Sequence, residues 1–347
     1  MTVTVAVGGF YGDEGKGKIV AFLSLKDSHS LAVRGGVGPN AGHTVNFGTQ
    51  VLKLRMLPSA VVNKSTKLLI GPGVLVNPDV TLDEARKYNA TDRLIVDNQC
   101  AIIEQKHIDS DKSGFLASKV GSTGTGTGPA NSDRIMRIAK LAKDVEVFQN
   151  YVNNVPEIVN STIDSGNDVL VEGTQGTFLS LYFGNYPFVT SKDITASAIC
   201  SDVGLGPKRV DDVIVIFKAF VTRVGEGPFT GELSPEETVS RGWDEIGTVT
   251  GRTRRAAPFD FELAKKAIML NSATSIAITK LDVLYPSARG VTNYEELDSS
   301  AKGFIEKIEN ELNIGVSLIG TGPEAVSYTH LRAHETEADL VCRLLLE

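Results

Sequence analysis

The stretch GGFYGDEGKGKIV, residues 8–20, decides the fold of this chain. Apolar residues over 3–7 precede it, as in a short buried strand, and the apolar pattern over 19–25 that ends it is typical of a helix. A strand, a glycine-rich turn and a helix together point backbone N–H groups and the positive end of the helix dipole at an anion. Because Lys16 and Lys18 add positive charge, the stretch predicts a phosphate-binding loop. A tight turn with solvated charges is the alternative interpretation.

The same loop departs from a Walker phosphate loop. The spacing to Lys16 is one residue too long, and Gly17 stands where serine or threonine should follow the lysine. The loop also carries two carboxylates, Asp13 and Glu14, which a simple phosphate cradle does not need. An acid among phosphate-binding groups indicates a Mg²⁺ ligand or a general base. The loop therefore predicts phosphate chemistry as well as phosphate binding.

The composition is that of a globular protein without a general attraction for nucleic acid. The chain has 347 residues, 41% of them hydrophobic, and a formal net charge of −7, so it lacks the positive field that attracts nucleic acid. No apolar run approaches the ~20 residues that span a bilayer, and no basic region precedes the first strand, so we expect neither a membrane segment nor a signal peptide. Three widely spaced cysteines, Cys100, Cys200 and Cys342, predict reduced thiols and a cytoplasmic location.

Strand-like and helical patterns alternate along the chain, which predicts an α/β fold with a largely parallel sheet covered by helices. Most glycine-rich segments follow a predicted strand, and ligands collect at the carboxyl ends of strands in such folds. The absence of a repeat or a linker favours a single domain. The predicted strands are 3–7, 68–70, 94–96, 169–171, 213–217 and 275–279, and the predicted helices are 19–25, 82–88, 145–153, 261–270 and 301–312.

Two further glycine-rich segments extend the predicted ligand site. RGGVGPNAGHT, residues 34–44, places His43 where a ligand can approach the backbone closely, so the imidazole can act on a phosphate; a structural histidine is the alternative. VGSTGTGTGPANSDRIMR, residues 120–137, is rich in small and hydroxyl side chains and predicts a loop that wraps an anion. It continues into a predicted basic helix that contains Arg134 and Arg137; a flexible linker is the alternative.

Three segments in the second half of the chain add polar groups of different kinds. In 171–197, Gln175 can read a base edge through its amide, although a buried amide that satisfies backbone groups gives the same pattern. In 247–260, three arginines beside Thr250 predict a local site for carboxylate or phosphate rather than a solvated charge run. ITKLD, residues 278–282, resembles the guanine-reading element of GTP-binding proteins.

Taken together, these segments resemble the adenylosuccinate synthetases, which join IMP and aspartate with GTP. The resemblance runs in order from about residue 3 to residue 323, and the segments GGVGPNAGH and TSKDITAS look like those of compact archaeal or phage-type members. It implies a single α/β domain around a large, mostly parallel central sheet, with a P-loop-NTPase-like nucleotide site and family-specific loops. It also implies a homodimer that binds GTP, IMP and L-aspartate, one Mg²⁺ per subunit, and neither nucleic-acid nor membrane partners.

The resemblance further implies roles for individual residues. Asp13 corresponds to the general base that removes the N1 proton of IMP and to a Mg²⁺ ligand, the carbonyl of Gly42 to a second metal ligand, and His43 to the general acid. The implied GTP contacts are Gly12, Asp13, Glu14, Gly15, Lys16, Gly17, Lys18, Gly42, His43, Thr44, Arg254, Lys280, Leu281, Asp282, Gly320, Thr321 and Gly322. The implied IMP contacts are Asn40, Ala41, Ser122, Thr123, Arg137, Gln175, Thr190 and Arg252, with Arg137 reaching the IMP site of the partner subunit. The implied aspartate contacts are Thr248, Val249, Thr250, Gly251, Arg252, Thr253 and Arg254.

Two rival functions stay open at this point. Phage relatives make 2-aminoadenylosuccinate from dGMP, often with ATP as donor, and typically carry serine in place of the catalytic aspartate. This chain keeps Asp13, and the run Lys280-Leu281-Asp282 favours GTP, so the sequence favours IMP. A non-catalytic GTP-binding protein would need the phosphate loop and Lys280 with Asp282, but neither His43 nor the arginine cluster. Thr253 interrupts the family's arginine run, which bears on the affinity for aspartate. Gly320 replaces a serine or lysine, which bears on the affinity for the nucleobase.

Residues 326–347 do not look like the family. We predict that they replace the native end of the protein through a frameshift or sequencing-adapter read-through, which leaves 1–325 as the catalytic domain. His330 and His334, at helical i, i+4 spacing and followed by Glu335, suggest a metal site only if this tail is native. Resequencing the 3′ end of the gene tests the prediction, and an intact reading frame through these codons would contradict it.

Overall fold

The computed structural model describes residues 2–27, 29–247 and 251–330. Its strands are β1 (Val3–Gly8), β2 (Leu31–Arg34), β3 (His43–Phe47), β4 (Gln50–Leu54), β5 (Lys67–Ile70), β6 (Leu75–Val76), β7 (Leu94–Asp97), β8 (Ala101–Ile102), β9 (Val152–Asn153), β10 (Val169–Glu172), β11 (Asp212–Lys218), β12 (Val221–Arg223), β13 (Arg255–Ala257), β14 (Ser275–Thr279), β15 (Val316–Gly320) and β16 (Tyr328–His330). Its α-helices are α1 (Lys16–Lys26), α2 (Pro78–Lys87), α3 (Gln105–Lys112), α4 (Thr127–Met136), α5 (Val155–Asp164), α6 (Ala196–Val203), α7 (Pro235–Ser240), α8 (Phe261–Asn271), α9 (Leu281–Leu284) and α10 (Ser299–Leu312).

A large central sheet organises the described residues, and it confirms the predicted α/β fold. Ten described strands form it in the order β16-β15-β14-β11-β1-β10-β2-β5-β7-β9. Its pairs are parallel except for β15 with β16, which is antiparallel. The inner strands are nearly continuous apolar runs because helices cover both faces of a parallel sheet. β1 lies near the middle, between β10 and β11.

Alternate residues of β1 enter two separate cores, one on each face of the sheet. Val5 and Val7 pack in a cluster that includes Ile199 of α6. Ala6 points to the opposite face, into a cluster with Ile19 and Val20 of α1. This period-2 alternation of side chains fixes which helices cover which face of the sheet. It also fixes where the loop between β1 and α1 leaves the sheet.

The carboxyl ends of neighbouring strands bring distant polar residues together. In the sheet register, Glu172 at the end of β10 lies beside Ala6 on one side and beside Arg34, the last residue of β2, on the other. Thr279 ends β14 next to Lys218, which ends β11. Because parallel strands all end at the same edge, this edge is where an α/β fold builds its ligand site.

The helix predicted over 145–153 is wrong. Residues 146–148 form a single 3-10 turn, and Val152–Asn153 is the edge strand β9, which pairs with β7. The segment combines valines with Asn150, Asn153 and Asn154. Both residue types have poor helix propensity, and asparagine competes for the backbone in turns.

The segment predicted as a loop over 120–137 is partly helical. α4 begins at Thr127 and ends at Met136, so Arg134 lies in its last turn while Arg137 follows the helix with a φ of 66°. Pro129 falls in the first turn of α4, where its missing N–H costs nothing. The predicted basic helix therefore starts earlier than expected, and Arg137 lies beyond its end.

The end of the chain lies mostly outside the described residues. β16 is the last described element and pairs with β15 at the sheet edge. The predicted exclusion of 326–347 from the catalytic domain stays a prediction, and His334, Glu335 and Cys342 lie outside the described residues. None of the helices described in the chain combines the length and apolar character needed to cross a membrane.

Candidate active site

The loop between β1 and α1 is braced from within by a buried carboxylate. Glu14 Oε1 accepts hydrogen bonds from the N–H groups of Phe10, at 3.0 Å, and Gly12, at 2.7 Å. Glu14 Oε2 pairs with Lys16 Nζ at 2.9 Å. Gly15, with a φ of 87°, turns the chain into α1, which begins at Lys16. The side chain of Glu14 therefore shapes the loop and does not face the ligand.

The two lysines of the loop donate hydrogen bonds to backbone carbonyls of other segments. Lys16 Nζ donates to the carbonyl of Gln175, and Lys18 Nζ donates to the carbonyl of Gly322. Lys18 Nζ also lies 4.2 Å from the ring centroid of Tyr328, a cation–π distance. Burial lowers the pKa of Lys18 to about 8. These contacts connect the loop to the ends of β10 and β15.

Gly17 explains why this loop is not a Walker motif. A Cβ atom at this position would lie 2.8 Å from the Cβ of His43 and 2.9 Å from the Oγ of Ser59. The first turn of α1 therefore packs directly against the start of β3, and any side chain at residue 17 would displace His43. In a Walker loop this position carries serine or threonine, whereas here it must be glycine so that α1 can pack against His43 and Ser59.

A cavity of about 820 Å³ opens above the carboxyl ends of the strands. Its volume lies in the range typical of small-molecule sites. All six segments singled out in the sequence contribute to its walls. The predicted residues that line it are Gly12, Asp13, Gly15, Lys16, Gly17, Lys18, Asn40, Ala41, Gly42, His43, Thr44, Ser122, Thr123, Gln175, Thr190, Arg252, Arg254, Lys280, Asp282 and Gly322.

Other predicted contacts lie away from the cavity wall. Leu281 is fully buried in the core on one face of the sheet, and the Oγ1 of buried Thr321 donates to the Val291 carbonyl at 2.7 Å. Any ligand contact of Leu281 or Thr321 must therefore use the backbone. The remaining described positions outside the wall are Glu14, Arg137, Gly251, Thr253 and Gly320. The predicted aspartate contacts Thr248, Val249 and Thr250 lie outside the described residues.

Three residues of the cavity wall other than glycine hold a left-handed backbone conformation. Asp13 has a φ of 63°, Gln175 of 50° and Lys280 of 62°. Such conformations cost of order 1–3 kcal/mol each in a non-glycine residue and cluster at functional sites. All three were singled out in the sequence for ligand contact. The observed backbone strain therefore indicates function at these positions independently of the sequence motifs.

The amide of Gln175 is buried without a hydrogen-bond partner. Neither its Oε1 nor its Nε2 makes a hydrogen bond within the described residues. An amide offers two donors and an acceptor oxygen, and leaving such a group buried and unpaired costs ~1–3 kcal/mol. Asn40 Oδ1, on the same cavity wall, is also unpartnered among the described residues. These orphaned groups indicate that a polar ligand completes their hydrogen bonds.

His43 lies in a buried network of charged groups. Its Nδ1 contacts Oε1 of Glu172 and lies 2.7 Å from NH1 of Arg34. Burial and the charge of Arg34 lower the pKa of His43. Burial alone would raise the pKa of Glu172, but the charge of Arg34 and the hydrogen bonds from His43 and Ser59 outweigh it and lower that pKa. His43 is therefore neutral and Glu172 ionised at neutral pH in the ligand-free protein.

Asp13 faces the cavity and pairs with an arginine of the fifth segment. Its Oδ2 lies 2.9 Å from Nε of Arg254, and its side chain is 26% exposed. Arg254 also pairs with Glu245, which lies 2.6 Å from Lys218 and 3.1 Å from Lys280. Burial would raise the pKa of Glu245, but these cations outweigh it and lower that pKa. Glu245 thus holds Arg254 and Lys280 at the cavity wall.

Sequence reasoning gave no role to Glu172, Arg34, Lys218 or Glu245. The sequence already shows that Glu172 follows a predicted strand, and Arg34 and Lys218 share that signal, since all three are charged residues at the ends of apolar strands, β10, β2 and β11. Such a charge reaches the ligand edge of a parallel sheet. Glu245 carries no comparable signal, because only the fold brings it to Lys218 and Lys280.

The donor set at the cavity fits the predicted Mg²⁺. The carboxylate of Asp13 and the backbone of Gly42 both line the wall. In the described part of the chain, no group of three or more His, Cys, Asp or Glu residues could hold a metal by itself. Mg²⁺ is usually held by one or two carboxylates together with the phosphates of a substrate. The site therefore suits a metal that enters with a nucleotide.

Comparison with known sequences now places the chain in a family. A sequence profile of the adenylosuccinate synthetase family matches residues 5–148 and 138–289. The chain belongs to the adenylosuccinate synthetase family. It is 54% identical over 336 residues to the adenylosuccinate synthetase of Methanocaldococcus jannaschii, which covers 96% of this chain and 97% of that protein. It is 55% identical over 333 residues to that of Archaeoglobus fulgidus, with 96% and 99% covered.

Two solved structures share the fold. A fully ligated adenylosuccinate synthetase from Plasmodium falciparum superposes with a TM-score of 0.89 over 96% of this chain and 100% of that one, at 23% identity. The succinoaminodeoxyadenylate synthetase of cyanophage S-2L, bound to dGMP and dATP, superposes with a TM-score of 0.80 over 99% of each chain, at 25% identity. The central sheet and its flanking helices are therefore those of the family.

Proposed function

We propose that this chain is a GTP-dependent ligase of purine nucleotide biosynthesis, which joins IMP and L-aspartate to adenylosuccinate and releases GDP and phosphate. The observation that carries the proposal is that Asp13, the unpartnered amide of Gln175 and Asp282 line one cavity with the phosphate loop. The carboxylate of Asp13, beside the phosphate-binding loop, can remove a proton from a purine. The amide of Gln175 can form hydrogen bonds with the edge of a base, and the carboxylate of Asp282 can accept hydrogen bonds from a guanine.

The reaction that fits this site has two steps. The 6-oxo group of IMP is a poor leaving group, so it must first be activated. Asp13 takes the N1 proton, O6 becomes a nucleophile, and the new O–P bond to the γ-phosphoryl group forms as the bond to GDP breaks. The amine of aspartate then attacks C6, and the C–N bond forms as the C6–O bond breaks and phosphate leaves. Most of the catalysis is positioning and electrostatics.

His43 serves as the proton donor of the proposed mechanism at the phosphoryl group. Its Nδ1 side is occupied by Glu172, Arg34 and Ser59, so Nε2 is the atom left for the cavity that His43 lines. The negative charge of a bound triphosphate opposes the burial and the Arg34 charge that lower its pKa, and so favours the protonated imidazole. The carboxylate of Asp13 and the carbonyl of Gly42 would hold one Mg²⁺ per subunit, which would neutralise phosphate charge when bound.

The main rival substrate is dGMP with ATP, since the cyanophage relative is bound to dGMP and dATP. We expect kcat/KM for IMP with GTP to exceed that for dGMP with ATP by at least about 10²-fold, because a site that pairs with one set of base-edge groups leaves buried groups unpaired with the other. Release of nucleoside diphosphate measures both pairs of substrates, together with formation of adenylosuccinate from IMP or of its 2-amino deoxy analogue from dGMP. Turnover of dGMP alone would contradict the choice of IMP.

We also propose a homodimer in which Arg137 reaches the IMP phosphate in the partner subunit. Arg137 does not line the cavity of its own chain among the described residues. Its neighbours Ile135, Met136 and Ile138 are large apolar side chains that are exposed. Contiguous exposed apolar groups mark an interaction surface, and a two-fold interface would place the arginine of each subunit opposite the other.

Mixing two inactive variants tests this arrangement. Arg137→Ala lacks the arginine and Asp13→Asn lacks the base, so each homodimer should be nearly inactive. A mixed dimer contains one site with an intact Asp13 and an intact arginine from its partner. Random exchange of equal amounts should therefore restore about a quarter of the wild-type turnover, because half of the dimers are mixed and each has one complete site. No recovery from a mixture whose subunits exchange would exclude a shared site.

The proposed location is the cytoplasm. Cys100 and Cys200 are free and buried, and burial raises the pKa of both thiols. Such thiols are inert and are typical of proteins in a reducing compartment.

A further inference from the structure

Glu172 is a fully buried carboxylate directly behind a predicted catalytic residue. It ends β10, between Ala6 of β1 and Arg34 of β2. A buried carboxylate destabilises a fold unless it is paired and hydrogen-bonded. The contacts of Glu172 therefore decide whether this charge is tolerated in the core.

The carboxylate of Glu172 uses both oxygens to join three elements. Oε2 accepts from the N–H of Ser59 at 2.6 Å, and Oε1 accepts from the Ser59 hydroxyl at 2.7 Å. Oε1 also contacts Nδ1 of His43 and lies 3.1 Å from NH1 of Arg34. Four hydrogen-bonding groups therefore surround the carboxylate, and its orientation is fixed before any ligand binds.

The contact between Glu172 and His43 requires a proton on Nδ1. An ionised carboxylate only accepts hydrogen bonds, so an unprotonated Nδ1 facing Oε1 would place two acceptors against each other. Arg34 NH1 is also close to Nδ1, at 2.7 Å. Arg34 has other acceptors, namely Glu172 Oε1 and, for NH2, the Arg55 carbonyl at 3.4 Å. The hydroxyl of Ser59 lies 3.5 Å from Nδ1 and itself donates to Glu172 Oε1 at 2.7 Å, so Glu172 is the nearest acceptor for the Nδ1 proton among the described contacts of His43.

We propose that Glu172 is a positioning residue, which holds His43 in the tautomer with the proton on Nδ1 and so presents Nε2 to the cavity. The hydrogen bond made by one ring nitrogen sets the state of the other. Gly17 completes the arrangement, because the first turn of α1 packs against the Cβ of His43 and restricts the ring from a second side. Only the catalytic consequence of this inference rests on the proposed function of His43. The tautomer itself does not depend on it.

Nitrogen-15 NMR of the histidine rings at pH 8 tests the inference without any activity. The chain has five histidines, and the signals of His43 are those lost in His43→Asn. We expect a protonated Nδ1 and a lone-pair Nε2 in the wild type. In Glu172→Gln, the carboxamide oxygen can accept from Ser59 N–H while its NH₂ group donates to Nδ1, so the Nε2-protonated tautomer should appear.

The kinetic consequence should be a loss of turnover rather than of binding. We expect Glu172→Gln to lower kcat about 10- to 100-fold, because the neutral carboxamide no longer stabilises the imidazolium from which Nε2 donates, with the KM for GTP changed less than about threefold. Glu84→Gln is the matched control. Glu84 is also buried and accepts from the N–H groups of Arg55, Met56 and Leu57, but it does not line the cavity among the described residues.

The outcomes separate the inference from the proposed function. A wild-type His43 protonated on Nε2 overturns the inference, and so does a Glu172→Gln variant with unchanged tautomer and unchanged kcat. If Glu172→Gln does not fold, the wild-type tautomer still decides. If the wild-type protein shows the expected tautomer but no ligase activity, the proposed function is contradicted, while the role of Glu172 in orienting His43 is not.

Discussion

Asp13→Asn should lower kcat by about 10³-fold or more while GTP binding changes only a few-fold. A positioned base contributes ~10²–10⁴-fold to rate, and the amide can neither take the N1 proton nor serve as an anionic metal ligand. The loop itself should persist, because Glu14 still braces it from within. Asparagine also tolerates the left-handed φ of 63° at this position. Steady-state kinetics and a GTP-binding titration measure the two effects separately.

The matched control for this variant is Asp83→Asn. Asp83 lies on α2, and its side chain is 75% exposed in an i, i+3 pair with Arg86. An exposed pair of this kind contributes little to stability, so turnover should match the wild type. Turnover of Asp13→Asn within a few-fold of the wild type would contradict the assigned role of Asp13. A wild-type protein that binds GTP but forms no product would favour the non-catalytic alternative.

His43→Asn should also abolish most turnover, by about 10²–10⁴-fold, the usual contribution of an acid or base. The shorter side chain cannot reach the phosphoryl group and leaves the buried Glu172 with Ser59 and Arg34 as partners. The loss of one partner from a buried charge should therefore lower stability as well. Rapid-quench measurement of GDP formation, with thermal unfolding in parallel, distinguishes the catalytic loss from the loss of fold.

His29→Asn provides the comparison for His43→Asn. His29 is buried, and its Nδ1 lies 3.3 Å from the Leu23 carbonyl, away from the cavity wall. This variant should lose stability to a similar extent and keep its turnover per folded molecule. Equal catalytic losses in the two variants would show that His43 acts only through the fold.

The strand, loop and helix at the start of the chain could be predicted because the signals are local. The apolar run 3–7 became β1 (Val3–Gly8), and the pattern over 19–25 became α1 (Lys16–Lys26). The periodicity of side chains and the glycines of the turn act over a few residues. The same local reasoning gave the wrong helix over 145–153, where a sheet edge and asparagines outweigh the apolar spacing.

The support of the candidate site could not be predicted because it is built across the sheet. His43 and Glu172 are separated by 129 positions, and His43 begins β3, which lies outside the central sheet that contains β10, so only the tertiary fold brings the two together. The reason for Gly17 is likewise a contact with Ser59, which no local pattern contains. Sequence reasoning thus named the residues that face the ligand and missed the residues that hold them.

Leu281 and Thr321 mark a second limit of sequence reasoning. Both belong to segments that resemble nucleotide contacts, yet their side chains are fully buried in the protein interior. A motif specifies a stretch of backbone as well as its side chains. Only the fold tells which of its residues turn inward.

In the proposed mechanism O6 of IMP accepts the phosphoryl group, and an isotope label tests this step most directly. IMP carrying ¹⁸O at C6 is converted with GTP and L-aspartate, and the inorganic phosphate that is released is analysed by mass spectrometry. We expect each phosphate to carry one ¹⁸O, because the C6–O bond breaks when the amine attacks C6, and O6 leaves with the phosphate. Unlabelled phosphate formed together with adenylosuccinate would contradict it.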